Sequence, residues 1–473
     1  MGRRATGGSC RSRKRHSAAL VLAAALLPAT ACGSSHTTAE LQSAYQLDAG
    51  VNGGRQFGGA GVTGDQIVGA DDRVAGFNSS LGNDGSVAMD GSASGAGALA
   101  RSAGNGSSAA GEEIVVASVG HYSGLAGASL VPAKVGIQVW AQDVNARGGI
   151  AGRPVRLIVV DDGSDPARHV AIVKELVEEE GVVAFVANFN PLTGQSTVDY
   201  LREKRVPVIG GSSFDPWYAI SEMHFPTASA GDGAHYGAVA AVKQMADVAS
   251  LSKLGVIYCA EASACADAGR QWARFGKELG MDVVYSAQSS LVQPDFTAEC
   301  LAARNAGVEV FMMSMAADGN RRLSQSCDRQ GFYPMYATVS LQVVPEYVDS
   351  PSLEGLAAGS TTYPWFLTGV SPARQFQAAM AEYAPGFRAG GISMEAWAAG
   401  AVLERALHLL VGPSTSAKVL SGLYTIQDDT MGGLTLPLTY EPGGPNVQRR
   451  CWWLTQVEKA KFVSPNGGQL QCA

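Results

Sequence analysis

The chain has 473 residues, a formal net charge of −7, 46% apolar residues and only 16% charged ones. That length suggests two to three domains, and the apolar fraction is enough for real cores. The acidic balance argues against a nucleic-acid binder, because phosphate backbones demand a basic face.

Residues 1–31 read as an export signal. Arg3, Arg4, Arg11, Arg13, Lys14 and Arg15 precede a short apolar run at 18–27, and Pro28, Ala29, Thr30 and Ala31 lead to Cys32. The run is far below the roughly 20 residues of a membrane span, so it reads as a cleaved signal. No second run reaches that length. A cysteine directly after a small-residue site resembles a bacterial lipobox, with Ala29 where leucine is usual, and Cys32 is expected to be lipidated. Ordinary cleavage near Ala31 with an incidental cysteine is the alternative. The Arg3-Arg4 pair hints at twin-arginine export, but the apolar residues which that signal needs do not follow it. Residues 1–31 carry six positive charges and no negative ones, so their loss takes the net charge from −7 to −13.

From 32 to 111 the chain is dominated by Gly, Ser, Ala, Asn and Asp, without apolar periodicity, and is expected to be a flexible tether running from lipidated Cys32. Gly59-Ala60-Gly61-Val62-Thr63-Gly64 fits GxGxxG. No strand pattern precedes it and no helix pattern follows, so it reads as linker glycine.

Order is expected from Glu112. The β-branched run at 114–119 predicts a buried strand. The turn residues at 121–127 lead into a helix ended by Gly148-Gly149, where glycine tolerates a left-handed backbone. A strand at 155–160 closes on Asp161-Asp162, and Asp165-Pro166 supplies an N-cap acceptor and a first-turn proline for the next helix. Strands at 182–187 and 206–209 flank a helix at 193–204. A helix near 235–246 follows. The rhythm then resumes with strands at 254–258, 282–285 and 308–312 and helices at 266–279, 299–305 and 320–330; further helices are expected at 373–383 and 394–410. Continuous apolar strands alternating with helices predict an α/β fold of two doubly wound parallel-sheet lobes joined by a hinge. The expected division is 112–235 plus about 340–412 for lobe 1, and 236–339 plus about 413–473 for lobe 2.

Beyond Cys10 in the signal and Cys32, six cysteines remain: Cys259, Cys265, Cys300, Cys327, Cys451 and Cys472. An even number in an exported chain reads as a disulfide set, and neighbour pairing is the simplest of the 15 connectivities. A metal site is the rival reading, but there is no CxxC and no histidine cluster beside the cysteines, so no metal is expected. Pro465-Asn466-Gly467-Gly468 is a turn signal between the last two cysteines.

The stretch Asp143-Val144-Asn145-Ala146-Arg147-Gly148-Gly149-Ile150-Ala151-Gly152-Arg153-Pro154, followed by Asp161-Asp162 and Asp165-Pro166, resembles the first lobe of periplasmic binding proteins of the leucine/isoleucine/valine-binding family. Val206-Pro207-Val208-Ile209, followed by Gly210-Gly211-Ser212-Ser213, resembles the same family's third strand-to-helix junction. The resemblance covers roughly 112–410. It implies the periplasmic binding protein type 1 fold and a substrate-binding lipoprotein of an ABC importer, outside the cytoplasmic membrane and held to it only by the lipid. Such a protein is expected to be a monomer that takes a small solute by hinge closure, hands it to a membrane permease and needs no cofactor.

In open parallel sheets, ligands sit beyond the carboxyl ends of the strands. The candidate ligand residues are therefore Tyr122, Ser123, Asn188, Asn190, Ser212 and Ser213 from the first lobe, and Glu261, Met315 and Ala316 from the second. Tyr363 is added as an aromatic able to stack on an apolar group. Ser123 and Ser212 have a plainer reading as turn chemistry, and Tyr363 and Trp365, which could both stack on an apolar group, as burial in the lobe interface. Asp318 reads as a helix N-cap. The chain departs from the family in three places. Phe214 stands where amino-acid binders place a hydroxyl, the Cys259–Cys265 segment replaces a Tyr-Gly pair, and Ser340 aligns near the acid that meets the ligand's ammonium. Glu261 or Asp318 could substitute for that acid, and aromatic acids, amides and short peptides stand beside amino acids as candidate ligands. An exported hydrolase is disfavoured because GxSxG, HExxH and a phosphate loop are lacking and the histidines are scattered. A ligand-binding sensor or adaptor on the same fold is the alternative.

Overall fold

The computed structural model describes residues 112–124 and 127–473. The expected signal, Cys32 and the tether lie outside the described residues. Among the described residues, no helix is long and apolar enough to cross a membrane.

The first sheet has five parallel strands: β1 (Ile114–Gly120), β2 (Val155–Asp161), β3 (Ala184–Asn188), β4 (Val208–Gly211) and β5 (His224–Phe225). Their order across the sheet is β2-β1-β3-β4-β5. Helix α1 (Gly127–Ala146) follows β1 and α2 (Pro166–Glu178) follows β2; α3 (Val198–Lys204) and the single-turn α4 (Trp217–Ile220) flank β4. β1 and β3 are buried at nearly every position because helices cover both faces, which is why they read as continuous apolar runs rather than alternating ones.

The best-conforming sequence motif builds scaffold. The side chain of Asn145 accepts the backbone N–H of Val155 at 2.7 Å and donates to its carbonyl at 2.9 Å, clamping the end of α1 to the start of β2. Gly149 has φ +75°, and a Cβ there would lie 1.9 Å from the carbonyl oxygen of Arg153, so the turn admits only glycine. Asp165 caps α2, its carboxylate accepting the N–H of Arg168 at 2.9 Å.

The second sheet repeats the same order. β6 (Lys253–Cys259), β7 (Asp282–Ser289), β8 (Val310–Ser314), β9 (Met335–Val339) and β10 (Ala357–Ser360) are parallel and lie in the order β7-β6-β8-β9-β10. Antiparallel β11 (Cys451–Glu458) joins β10, and β12 (Lys461–Val463) and β13 (Gln471–Cys472) pair with β11. Its helices are α5 (Asp232–Val248), α6 (Ser263–Glu278), α7 (Thr297–Asn305) and α8 (Ala316–Arg329).

Helices α9 (Ser371–Tyr383) and α10 (Gly391–Leu407) return to the first lobe and pack on α1, and α11 (Ser416–Leu423) packs on α10. The lobe boundaries differ from the expected ones at two points. Ala357–Ser360, expected in the returning segment of the first lobe, is a strand of the second sheet. Ser416–Leu423, expected in the second lobe, lies against α10. The chain passes between the lobes three times, between β5 and α5, β10 and α9, and α11 and β11.

The α1–α10 contact is close because small residues face large ones. A Cβ on Gly400 would sit 2.2 Å from the Trp140 ring, and Trp140 donates its indole N–H to Glu404 at 2.7 Å. The three disulfides are Cys259–Cys265, Cys300–Cys327 and Cys451–Cys472, the neighbour pairing. The last closes the β11–β13 pair, in which the two cysteines are register partners.

Candidate ligand-binding site

The carboxyl ends of both parallel sheets border one cavity of about 100 Å³. In each sheet the strand order reverses beside the first strand, between β1 and β3 and between β6 and β8, and such switch points leave a crevice between diverging loops. From the first lobe come Leu130 on α1, Phe189 and Leu192 after β3, and Ser212, Phe214 and Asp215 after β4. From the second come Ala262 and the Cys259–Cys265 disulfide after β6, Trp272 on α6, Ala316 at the start of α8, and Leu341 after β9. The lining is mainly apolar, with Ser129, Ser212, Ser314 and Gln342 as its neutral polar groups. Among the described lining residues, Asp215 carries the one ionisable acid or base.

Asp215 is 1% exposed, and neither carboxylate oxygen has a hydrogen-bond partner. Burial pushes its carboxyl well above the ordinary range, only partly opposed by the nearby Ser212. Trp272, across the cavity in the other lobe, is also buried, and its indole N–H meets no acceptor. Buried polar groups without partners are uncommon and call for an explanation.

The first-lobe wall rests on a buried network around Asp162. One carboxylate oxygen takes a hydrogen bond from His121 Nδ1 at 2.6 Å; the other takes them from His169 Nδ1 at 2.9 Å and from the Thr193 hydroxyl at 2.7 Å. His121 Nε2 accepts the N–H of Leu192 at 3.0 Å, which places the ring proton on Nδ1. Burial alone would raise the Asp162 carboxyl, but the histidine bonds outweigh it and hold the acid far below the usual carboxylate range. The network ties together the loops after β1, β2 and β3 and so sets the position of Leu192 in the cavity wall.

The lobes also meet directly. Ser129 Oγ on α1 accepts the N–H of Ala317 in the first turn of α8 at 3.2 Å. On the far side, Glu395 of α10 accepts the Thr361 hydroxyl at 2.8 Å and the Ser340 hydroxyl at 3.4 Å, reaching the ends of two strands of the second sheet. Burial pushes the Glu395 carboxyl from 4.5 up to about 7, against the opposing pull of those two hydroxyls.

Of the residues proposed from sequence, Ser212 and Ala316 line the cavity. Ser213 is buried beside it with a hydroxyl that has no partner. Asn188 accepts the N–H of Val119 at 3.0 Å, and Asn190 is a buried turn residue whose carbonyl receives the N–H groups of Thr193 and Gly194, so both brace the strand ends. Met315 is fully buried at the head of α8. The Tyr122 hydroxyl is 3.0 Å from that of Ser118, while Ser123 is exposed and its N–H donates to Asp161. Glu261 folds back to accept bonds from Ser290 and the N–H of Leu291. Tyr363 is buried edge-on against Trp453, and Trp365 packs on Phe366 and Phe462, away from the cavity lining. Asp318 is in the first turn of α8 and pairs with Arg321. Asp215 and Trp272 also line the cavity and were not among the residues selected from sequence. Asp215 carried a signal, lying just beyond the carboxyl end of a parallel strand; Trp272 lies inside an amphipathic helix and carried none. No group of three or more potential metal-ligating side chains occurs among the described residues.

A family model described as periplasmic binding protein matches residues 113–461. A 49-residue stretch is 39% identical to an amino acid binding protein of Pseudomonas aeruginosa, covering 10% of this chain and only 13% of that relative. Among solved structures, a branched-chain amino acid ABC transporter protein from Thermus thermophilus with bound valine superposes with a TM-score of 0.67 at 14% identity, over 77% of this chain and 97% of that one. A fatty acid ABC transporter substrate-binding protein from Thermomonospora curvata gives 0.65 at 16% identity, over 76% and 93%. A solute-binding protein of an ABC transporter from R. palustris in complex with benzoate gives 0.63 at 14%, over 76% and 98%. At these identities the structures show a shared fold. With the family model spanning 113–461 and the two-lobed α/β architecture in agreement, this chain belongs to the periplasmic binding protein family.

Proposed function

We propose that the protein is the extracytoplasmic substrate-binding component of an ABC importer, closing two lobes on a small organic solute and delivering it to a membrane permease. The observation that carries this is the mainly apolar cavity bordered by the carboxyl ends of both sheets and lined by residues of both lobes. Contacts to both lobes form only in the closed state, so a ligand making them shifts the hinge equilibrium toward closure. The similar structures hold valine or benzoate or are named for fatty acids, all solutes with an apolar body, which suits this lining. On this reading the chain acts as a monomer, binds and releases rather than converts its solute, and is tethered through lipidated Cys32.

The test is thermal unfolding of the exported chain, with its disulfides formed, against amino acids, aromatic acids, amides and short peptides. A ligand at a hundred times its Kd stabilises the native state by about 2.7 kcal/mol. A shift confined to one chemical class, with compaction in small-angle scattering, supports solute capture. Full stability without a shift in any class would refute it.

A further inference from the structure

The cavity presents apolar surface and no charge. Asp215 is the one ionisable residue of the described lining, yet both its carboxylate oxygens have essentially no accessible surface. Burial pushes that carboxyl well above its ordinary range, which favours the uncharged acid. No lysine, arginine or histidine occurs among the described lining residues, and Glu261 and Asp318 lie outside the lining, bonded to Ser290 and Arg321. Backbone N–H groups at the start of α8 could receive an anion, but two of them are already committed. The N–H of Ala317 donates to Ser129 Oγ at 3.2 Å, and that of Met315 donates to Asn320 Oδ1 at 3.2 Å. Gln342 is likewise engaged, its Oε1 accepting from Thr338 and Asn320 and its Nε2 donating to Ser314 at 3.5 Å.

A charged ligand group would lose its hydration here and find no countercharge, which is heavily penalised. A neutral polar group meets no such barrier, because Ser212 of one lobe and Ser314 of the other carry hydroxyls that can donate or accept. The cavity's volume of about 100 Å³ is on the scale of an apolar cavity of about 150 Å³ that takes up a single benzene ring. From this lining we infer that the solute is a small uncharged molecule, one ring or a short branched chain carrying an alcohol or amide group. Acids, amines and zwitterionic amino acids are excluded for want of a charge partner. The inference rests on the solute-capture reading and narrows it to neutral solutes, setting this chain apart from the similar structures that hold valine or benzoate.

The experiment is calorimetric titration of the full chain with two matched probe sets at neutral pH. Benzamide, benzyl alcohol, benzoate and benzylamine form the first; isovaleramide, isoamyl alcohol, isovalerate and leucine form the second. The amides and alcohols are expected to bind at least about a hundredfold tighter than the charged members of their set. Leu192→Lys places a cation in the cavity wall and is expected to weaken benzamide and tighten benzoate, each by about tenfold. Ser129→Ala bares the Ala317 N–H and is expected to raise benzoate affinity relative to benzamide by about threefold. Benzoate, benzylamine or leucine binding as tightly as its neutral counterparts would overturn the inference while leaving solute capture intact. An unchanged ratio of benzoate to benzamide affinity in both folded variants would do the same. Silence from every probe, with the protein folded, also overturns the inference; solute capture falls with it only if the wider unfolding panel shows no shift either.

Discussion

Glu395→Gln isolates a single buried titration that links the two lobes. Glu395 is 2% exposed, and its carboxyl is raised from 4.5 to about 7, first by burial and against the hydroxyls of Thr361 and Ser340. In the unfolded chain the same group ionises near 4.5. Between those values the native state holds a proton that the unfolded state has released, so stability falls as pH rises. The contribution is fully present below pH 4.5 and is lost as pH passes about 7. At 1.36 kcal/mol per pH unit, the interval from 4.5 to about 7 corresponds to about 3 kcal/mol. Glutamine has the same shape and stays neutral, so its profile lacks this fall. Urea unfolding of both proteins from pH 4 to pH 8 therefore has a defined outcome: the stability of the variant relative to the parent rises by about 3 kcal/mol across that range. Other groups cancel in the difference. Parallel profiles would refute the reasoning, because they would mean that Glu395 is already ionised in the folded protein.

Three further outcomes follow from the packing. Asp162→Ala strips the acceptor from His121, His169 and Thr193 and is expected to cost about 3–5 kcal/mol by urea denaturation; a loss below about 1 kcal/mol would show that these donors find other partners. Removing the Cys300–Cys327 disulfide, which closes 27 residues, is expected to cost about 3.5 kcal/mol, against about 2 kcal/mol for Cys259–Cys265, which closes 6. Equal losses from the two serine double variants would count against loop closure as the source. Gly400→Ala drives a methyl into the Trp140 ring and is expected to destabilise by about 1–3 kcal/mol, with a change in tryptophan fluorescence as the indole leaves Glu404. An unchanged spectrum and unfolding midpoint would mean that α1 and α10 can separate without cost.

Much of the fold was legible as local pattern. β1 and β3 read as continuous apolar runs because both their faces are covered, and α2 announced itself through Asp165 and Pro166. Asn145, Gly149 and their neighbours were recognisable because a short clamp with an obligatory glycine constrains a contiguous stretch of chain. The six cysteines paired with their sequence neighbours as simple counting suggested. Strand β10 was not legible. Ala357–Ser360 is Ala-Ala-Gly-Ser, without the β-branched residues that mark strands. Its small side chains make sense only beside α5, since a Cβ on Gly359 would lie 2.8 Å from the Cα of Ala238.

The candidate site divides in the same way. Choosing residues beyond strand ends selected Ser212 and Ala316, which line the cavity, because a parallel sheet leaves its crevice at the carboxyl ends of the strands. It also selected Glu261 and Asn188, which satisfy backbone groups nearby, since a strand end has its own hydrogen bonds to complete before a ligand arrives. By itself the sequence determined the two-lobed α/β architecture and the glycine turn after α1, set by periodicity and near-neighbour chemistry, whereas neighbour pairing of the cysteines was one of 15 connectivities until the structure selected it. Only the tertiary structure decided that Asp215 and Trp272, 57 positions apart and in different lobes, line one cavity, each with buried polar atoms that lack a hydrogen-bond partner. Burial and hydrogen-bond satisfaction are properties of the assembled surroundings, and they arise only when the chain crosses between the lobes and brings the two sheet ends together.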